Sequence, residues 1–275
     1  MKKPLLYQAT NARLLAVQMV HEAASGHPGG SLSCMDLLTA LYFAEMRIDP
    51  KDPLKADRDR FVMSKGHCSP AMYAVLALRG FFPVEKLKEF RRIDAHMSGH
   101  VEMSVPGVDM STGSLGQGIS AAVGMALAGK VSGKDYRVYT ILGDGEIAEG
   151  QVWEAMLSAA KYKLDNFCAI VDVNGLQIDG ATADVMPTEP LDEKFASFGA
   201  HVIKIDGHNY GQILDAYKEA RETKGQPTVI LAKTVKGKSV SYMENQAGWH
   251  GKAPNAEQFA QAKAELEAIM AGEED

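Results

Sequence analysis

Short apolar runs alternate with amphipathic segments along most of this chain, and the alternation predicts the order of its helices and strands. Apolar residues spaced three or four positions apart predict helices at residues 10–24, 36–46, 70–78, 119–128, 151–162 and 212–223. Near-continuous apolar runs predict strands at residues 60–64, 137–142, 167–173, 201–205 and 228–232. A last amphipathic helix is expected from Asn255, followed by a frayed acidic end at residues 273–275.

The two most legible strands, 137–142 and 167–173, are separated by a single predicted helix. Two strands joined in this way form a βαβ unit, in which the strands run parallel. Because both are apolar at nearly every position, the sheet is expected to be buried on both faces. The predicted fold class is therefore α/β, with a mostly parallel central sheet flanked by helices.

Composition and charge narrow the range of functions. The chain has 275 residues, 46% of them hydrophobic, and a formal net charge of −6, which disfavours binding to nucleic acid or to an anionic membrane surface. It contains no apolar run of membrane-spanning length and no signal-peptide pattern at its start. Cys34, Cys68 and Cys168 lack zinc-ligand spacing and are expected to be reduced, buried thiols. We expect a cytoplasmic protein.

Candidate metal ligands follow the two strands of the βαβ unit. Asp144 lies in a Gly-Asp-Gly-Glu sequence after the first strand, and Asn174 follows the second. Parallel strands place both residues at the same sheet edge, where open α/β sheets bind ligands. A carboxylate and an amide oxygen suit magnesium or calcium, and two protein ligands leave positions for a backbone carbonyl, water and phosphate oxygens. The sequence therefore predicts a divalent cation and a diphosphate here.

Two other interpretations compete with this site. Asp144 could be a turn residue and Asn174 a cap, since both are common at strand ends; their joint placement favours ligands instead. A dinucleotide-binding loop at Gly113, Gly116 and Gly118 lacks the GxGxxG spacing, and no clear strand leads into it. The loop opens a helix of small residues that allow close approach of a neighbour or ligand.

In these residues and in several other segments, the chain resembles the transketolases. The GDG sequence at 143–145 and Asn174 look like the ends of the thiamine-diphosphate motif. Six further segments match the family in order: residues 25–29, 57–67, 98–100, 112–118, 206–208 and 248–252. The resemblance covers essentially the whole chain, so residues 1–275 are expected to form a single diphosphate-binding domain of three layers. One departure is Ser114, where the family usually has proline.

The resemblance implies roles for particular residues. The metal ligands would be Asp144, Asn174 and the backbone carbonyl of Leu176. The residues implied to contact the cofactor are His67, Gly113, Ser114, Leu115, Gly145, Glu146, Asn174 and His250. The residues implied to be catalytic are His27, His100 and His250. His27 and His100 would face the sugar, and His250, like His67, would bind the diphosphate or line the cofactor channel. His201 and His208 are left as structural histidines.

Two acidic residues after the metal loop remain open to two interpretations. Glu149 and Glu154 could be ordinary acids near a helix N-terminus, where the helix dipole favours them. By resemblance they would belong to a proton relay between paired active sites.

The implied activity is transfer of a two-carbon ketol unit between sugar phosphates of the pentose phosphate pathway, using thiamine diphosphate and magnesium or calcium. The family's pyrimidine-binding domain and its catalytic glutamate are not in this sequence. We therefore expect the N-terminal subunit of a split transketolase, active only in a heterotetramer with a C-terminal subunit. The alternatives are half of a related enzyme, such as a deoxyxylulose-phosphate synthase or a 2-oxo-acid dehydrogenase, or a non-catalytic cofactor-binding paralogue.

Overall fold

A computed structural model describes residues 4–272. The ten α-helices of this part of the chain are α1 Leu5–Glu22, α2 Pro28–Ser33, α3 Met35–Ala40, α4 Ser69–Arg79, α5 Gln117–Val131, α6 Gly150–Lys161, α7 Thr182–Val185, α8 Leu191–Ser197, α9 Tyr210–Glu222 and α10 Ala256–Ala271. Its strands are β1 Arg60–Met63, β2 Val138–Gly143, β3 Phe167–Val173, β4 Leu176–Gln177, β5 Gly180–Ala181, β6 His201–Asp206 and β7 Thr228–Lys233.

Five of these strands form one sheet in the order β1-β2-β3-β7-β6, and every neighbouring pair is parallel. The predicted parallel sheet is therefore confirmed. Because all five strands point the same way, their carboxyl ends meet at one edge. In the register of β2 and β3, Gly143 lies opposite Asp172, which brings the two loops that follow these strands side by side. The strands β4 and β5 form a small antiparallel hairpin beyond that edge.

Alternate side chains of each strand pack on opposite faces of the sheet, which produces three layers. Tyr139 and Ile141 of β2 point into a core with α1, α3, α4 and α9. Val138 and Leu142 of the same strand point into a second core with α5, α6 and α8. Because helices cover both faces of the sheet, β1, β2, β3 and β7 are buried along most of their length. The edge strand β6 differs, with Lys204 and Asp206 exposed. A smaller cluster joins α10 to Val17 of α1 and Trp249.

The predicted elements agree with the structure to within a few residues at most ends. The largest difference is in the helix predicted at residues 36–46, whose α-helical part α3 ends at Ala40 and continues as a π-helical turn, Leu41–Glu45. In addition, α1 begins five residues earlier than predicted, and α5 is longer at both ends. The segment at residues 25–31 separates the first two predicted helices, as its proline and glycines indicate. Part of it nevertheless forms the short helix α2. Pro28 is its first residue, a position where proline costs no hydrogen bond.

The C-terminal helix is confirmed as α10. Asn255 caps it and forms a reciprocal pair of hydrogen bonds with Gln258. The acidic end predicted at residues 273–275 lies outside the described residues. Within residues 4–272, no helix is both long and apolar enough to cross a membrane.

Candidate functional site

A cavity of about 330 Å³ opens at the carboxyl edge of the sheet. Its wall combines the loops after β1, β2 and β3 with the glycine-rich loop before α5 and the turn before α10. Most of the residues predicted for the site line it, namely His27, His67, His100, Gly113, Leu115, Asp144, Gly145, Glu146, Asn174, Leu176 and His250. Residues spread over more than 200 positions of sequence are thus brought together by the parallel topology.

Asp144 occupies the floor of this cavity, at the end of β2. Its carboxylate accepts hydrogen bonds from the backbone amides of Gly145, at 2.9 Å, and Gly175, at 2.5 Å. The side chain is buried. Burial, together with the nearby charge of Asp172, raises the pKa of Asp144 to about 6, and these two amides only partly oppose the shift. A carboxylate in this situation is stabilised by a bound cation.

Asn174 and Leu176 lie beside Asp144 and supply two further oxygen atoms. The Asn174 Nδ2 lies 3.4 Å from Asp172 Oδ2, and its Oδ1 accepts a hydrogen bond of 3.1 Å from the Leu176 amide. Together with Asp144 these are hard oxygen donors, which suit magnesium or calcium. No group of three or more His, Cys, Asp or Glu side chains in residues 4–272 could hold a metal alone. The set therefore fits an ion whose coordination is completed by phosphate and water.

Asp172 is a fully buried carboxylate directly behind this floor, and no sequence pattern singled it out. It pairs with the buried ammonium group of Lys65 and accepts a hydrogen bond from Thr234. Ser33 donates a further hydrogen bond of 2.5 Å to it. Burying a charge is costly unless it is paired and hydrogen-bonded, and both oxygens of Asp172 are satisfied in this way. This network holds the end of β3, and with it Asn174, in place.

Glu146 ties three loops of the site together. Its Oε1 accepts hydrogen bonds from Ser64 Oγ, at 2.5 Å, and from the Gly116 amide, at 2.9 Å, while Oε2 accepts one from the Gly143 amide at 3.1 Å. Burial raises the pKa of this carboxyl group, and the three donors oppose that shift. Although Glu146 reaches the cavity wall, its hydrogen bonds are made within the protein.

Four histidines form one side of the cavity. The ring centroid of His27 lies 5.3 Å from that of His67, 5.7 Å from His100 and 5.4 Å from His250. The rings of His67 and His250 are 5.0 Å apart. His27 is therefore at the centre of the group, and we refer to His27, His67, His100 and His250 as the histidine wall.

Burial keeps three members of the wall uncharged near neutral pH. It lowers the pKa of His27 to about 4, with a further contribution from His67, and the pKa of His250 to about 3, where the cation Lys236 also contributes. The pKa of His100 is lowered as well, first by burial and then by His67. The Nδ1 atom of His27 is buried and has no hydrogen-bond partner among the described residues. Neutral imidazoles can both donate and accept hydrogen bonds, which suits groups that meet hydroxyls and changing oxyanions.

The glycine-rich loop runs past the histidine wall. A side chain at Gly113 would begin 3.2 Å from the His100 ring, so the absence of one leaves the cavity open there. Leu115 also lines the cavity. Ser114, between them, is exposed and lines an adjoining depression together with Gln117, and this depression shares His100 and Gly113 with the cavity.

Some residues named from the sequence lie outside the cavity. Glu149 and Glu154 are exposed around the start of α6. His201 pairs with Glu219 at 2.6 Å, and His208 donates a 2.7 Å hydrogen bond to the buried Asp36. These two histidines have structural contacts, in line with their interpretation from the sequence.

Lys65 and Lys236 were not singled out from the sequence, yet both line the cavity. Lys236 Nζ lies 3.5 Å from the Leu176 carbonyl oxygen and 3.1 Å from His250 Nδ1. Burial and the charge of Lys65 lower the pKa of Lys236. Its amino group lies beside the oxygen-lined floor and forms no salt bridge with a carboxylate of the described residues. The only local signal was a lysine next to glycine in residues 236–237.

Comparison with known proteins identifies the family. The family model described as "Transketolase, thiamine diphosphate binding domain" matches residues 7–269. This chain belongs to that transketolase family. Its parallel sheet, the cavity at the carboxyl edge of that sheet and the resemblance found in its motifs agree with this assignment.

Two kinds of relatives share this transketolase domain. A 6-deoxy-6-sulfo-D-fructose transketolase subunit of Clostridium sp. (strain MSTE9) is 46% identical over 264 residues, covering 96% of both chains. A subunit of the apulose-4-phosphate transketolase of Phocaeicola vulgatus is 42% identical over 259 residues, covering 94% of this chain and 92% of that one. The transketolase of Rattus norvegicus is 42% identical over 245 residues, which are 89% of this chain but 39% of the rat protein.

Solved transketolase structures have the same fold. The crystal structure of transketolase from Campylobacter jejuni superposes with a TM-score of 0.91 at 34% identity, covering 99% of this chain and 46% of that one. The chain thus spans less than half the length of the longer transketolases, and nearly the full length of the two relatives described as subunits.

Proposed function

We propose that this chain is the diphosphate-binding subunit of a two-chain transketolase, which transfers a two-carbon ketol unit between sugars that carry an anionic group. The observation that carries the proposal is the juxtaposition, in one cavity, of an oxygen-lined floor with four histidines. The relatives described as subunits support the two-chain form, and their names give a sulfosugar and a sugar phosphate as substrates. Residues 1–275 would act as one cofactor-binding domain.

The floor would hold the cofactor. Asp144, Asn174 and the carbonyl oxygen of Leu176 would coordinate magnesium or calcium, and the metal would accept diphosphate oxygens in its remaining positions. The Gly145 amide already points to Asp144, so the backbone around it is fixed before any ligand arrives. Lys236 would neutralise part of the diphosphate charge. When bound, thiamine diphosphate supplies the chemistry that breaks and forms a carbon–carbon bond beside a ketose carbonyl group.

The histidine wall would act on the sugar. His27 and His100 would hydrogen-bond its hydroxyl groups and the oxygen of its carbonyl, where charge develops during bond cleavage. Because burial keeps these imidazoles neutral, each can accept a proton from one oxygen and return it to another. The rings of His67 and His250 are the closest pair in the wall, and His250 contacts Lys236, so these two histidines would serve the cofactor side of the same cavity.

The histidines also favour a sugar enzyme over the alternatives. A 2-oxo-acid dehydrogenase component has less need to bind several hydroxyl groups. A purely regulatory paralogue would not require four imidazoles around one cavity. Three buried free thiols agree with a cytoplasmic protein.

The second subunit would complete the site. In the resemblance on which the proposal rests, a carboxylic acid on the pyrimidine-binding domain activates the cofactor, and this chain contributes no residue assigned to that role. Two copies of each chain would form the heterotetramer. Glu149 and Glu154 are exposed, so the proton relay proposed for them requires a second subunit to cover them.

The test is reconstitution. The purified chain should show no ketol transfer in the presence of thiamine diphosphate and magnesium. Activity should appear when the C-terminal subunit is titrated in, and it should saturate near one partner chain per copy of this chain. Ketol transfer by this chain alone, with the partner excluded by mass spectrometry, would contradict the two-chain proposal.

A further inference from the structure

The chain that follows β7 supports the floor of the cavity with two side chains. Thr234 donates a hydrogen bond to the buried Asp172. The amino group of Lys236 lies 3.5 Å from the Leu176 carbonyl oxygen. Both side chains depend on where the backbone of residues 234–236 runs, and we refer to these three residues as the β7 extension.

The backbone of the β7 extension lies beyond the paired part of the sheet. The last residue of β7, Lys233, is paired with Asp206, the last residue of β6. Beyond this pair, a hydrogen-bond acceptor on that side must come from outside β6. The side chain of His208 supplies it, because its Nε2 accepts a hydrogen bond of 2.9 Å from the Val235 amide. An amide left without its acceptor costs free energy, so this contact fixes the course of the extension.

The opposite side of the His208 ring is held by a buried ion pair. Because Nε2 accepts a hydrogen bond, the ring proton lies on Nδ1, which donates a hydrogen bond of 2.7 Å to Asp36 Oδ2. Asp36 is buried, and the guanidinium group of Arg13 contacts both of its oxygens, at 2.9 and 2.6 Å. Tyr210 donates a further hydrogen bond of 2.7 Å to the same carboxylate. The orientation of the imidazole is therefore set from α1 and α3.

The two residues before His208 allow its ring to reach the β7 extension. A Cβ atom added at Gly207 would lie 2.6 Å from Thr234 Cγ2, so glycine lets the loop after β6 lie against the extension. Asp206 Oδ1 accepts a hydrogen bond of 2.9 Å from the His208 amide. The Asp-Gly-His sequence at residues 206–208 thus places one imidazole against the extension.

We propose that His208 is a positioning residue for the cofactor and acts through Lys236. This inference rests on the proposed function, in which Lys236 neutralises part of the diphosphate charge. His208 lies outside the cavity, so it would not touch the cofactor. A lysine has a long, flexible side chain, and the position of its amino group therefore depends on a fixed backbone. Partners that orient a ligand from behind in this way commonly affect binding nearly as much as the ligands themselves.

The competing interpretation is that His208 only joins the loop after β6 to the ion pair of Arg13 and Asp36. In that case the hydrogen bond to Asp36 would matter, and the one from the Val235 amide would not. The two ring nitrogens can be tested separately. The side-chain amide of asparagine reaches the position of Nδ1, and that of glutamine reaches the position of Nε2.

The experiment measures, by calorimetry, how tightly the chain assembled with its C-terminal partner binds thiamine diphosphate in the presence of magnesium. His208→Asn keeps a donor for Asp36 but leaves the Val235 amide without its acceptor. We expect its affinity to fall about tenfold, at the lower end of the roughly 10- to 100-fold cost of losing a ligand-orienting partner. His208→Gln keeps the acceptor, and its affinity should stay close to that of the wild type. The matched control is His201→Asn, which replaces the histidine at the start of β6 and should bind normally.

A double-mutant cycle tests whether the effect passes through Lys236. In a Lys236→Met background, His208→Asn should cause no further loss of affinity, because residues that act as one unit do not contribute additively. Additive losses would mean that His208 acts by another route, which contradicts the proposal.

Hydrogen–deuterium exchange of this chain alone provides a measurement that needs no cofactor. In His208→Asn, peptides that cover the β7 extension should exchange faster than in the wild type, while those that cover residues 143–146 should be unchanged. Unchanged exchange in the extension would contradict the proposal.

Two affinity results would also overturn it while leaving the proposed function intact. One is wild-type affinity in His208→Asn. The other is a loss in His208→Gln as large as that expected of His208→Asn, and this result counts even if the asparagine variant does not fold. A wild-type complex that binds no thiamine diphosphate would instead overturn the proposed function, and this inference with it.

Discussion

The floor of the cavity and its histidine wall are built in opposite ways. On the floor, Asp144 and Asn174 are already held by backbone amides and by the buried pair of Asp172 and Lys65. In the wall, the imidazole of His27 contacts other imidazoles, and its Nδ1 has no partner among the described residues. The floor is thus arranged to hold a ligand still. In the proposed function, the wall would keep its hydrogen-bonding capacity available for groups that change during the reaction.

Removing the floor's carboxylate should have the largest effect. We expect Asp144→Ala to weaken metal-dependent binding of thiamine diphosphate by at least about 100-fold, since even indirect ligand-orienting changes cost about 10–100-fold. Calorimetric titration of the assembled protein measures this. Asp215→Ala, which removes an exposed acid on α9, is the control and should bind normally. Wild-type affinity in Asp144→Ala would contradict the assignment of the floor.

Changes in the wall should act on turnover and spare the cofactor. We expect His27→Gln and His100→Gln each to lower kcat by about 100-fold or more, because positioned proton-transfer groups contribute about 10²- to 10⁴-fold. Cofactor affinity should stay within about threefold of the wild type, since neither change touches the charged network that fixes the floor. Steady-state kinetics at saturating cofactor, with His201→Gln as the control, provide the measurement. Loss of cofactor binding with normal saturated kinetics would mean that wall and floor have exchanged roles.

The smallest expected effect is on stability against acid. The folded chain holds His27 neutral with a pKa of about 4, whereas the unfolded chain has the ordinary value near 6.5. Between these values the unfolded state binds more protons, so this contribution to stability is present above about pH 6.5 and is lost as the pH falls towards 4. His27→Gln lacks it, and its free energy of unfolding should fall less steeply over that range. Urea unfolding at several pH values tests this, and parallel curves for the two proteins would contradict it.

Much of the fold was predictable because strands and helices are local patterns. The apolar runs predicted the five strands of the sheet, and parallel topology then placed Asp144 and Asn174 at one edge. The short helix α2 was missed because its proline and two glycines are also the signals of a break. Proline is compatible with a helix only in its first turn. Whether the helix starts at Pro28 depends on packing with residues outside the segment.

The supporting charges of the site were less predictable. Asp172 lies within an apolar strand, and no local pattern shows that its partner is Lys65, more than one hundred residues away. The family resemblance predicted the four histidines of the histidine wall. The spacing of these residues along the sequence does not show that His27 lies at the centre of the group. Such contacts join loops that are far apart in sequence, and no local sequence pattern shows which loops will meet.

The hydrogen bonds of Glu146 affect how easily the loops around the cavity open locally. By joining the ends of β1 and β2 to the glycine-rich loop, its carboxylate makes three surface loops into parts of one cooperative unit. Loops that are attached only at their ends fray independently at little free-energy cost, whereas loops linked through the core open together with the elements they join. Backbone amides at Gly116 and Gly143 should therefore exchange with solvent deuterium as slowly as the sheet beneath them. The proposed cofactor site would then open only when the sheet itself unfolds locally, even without a bound ligand.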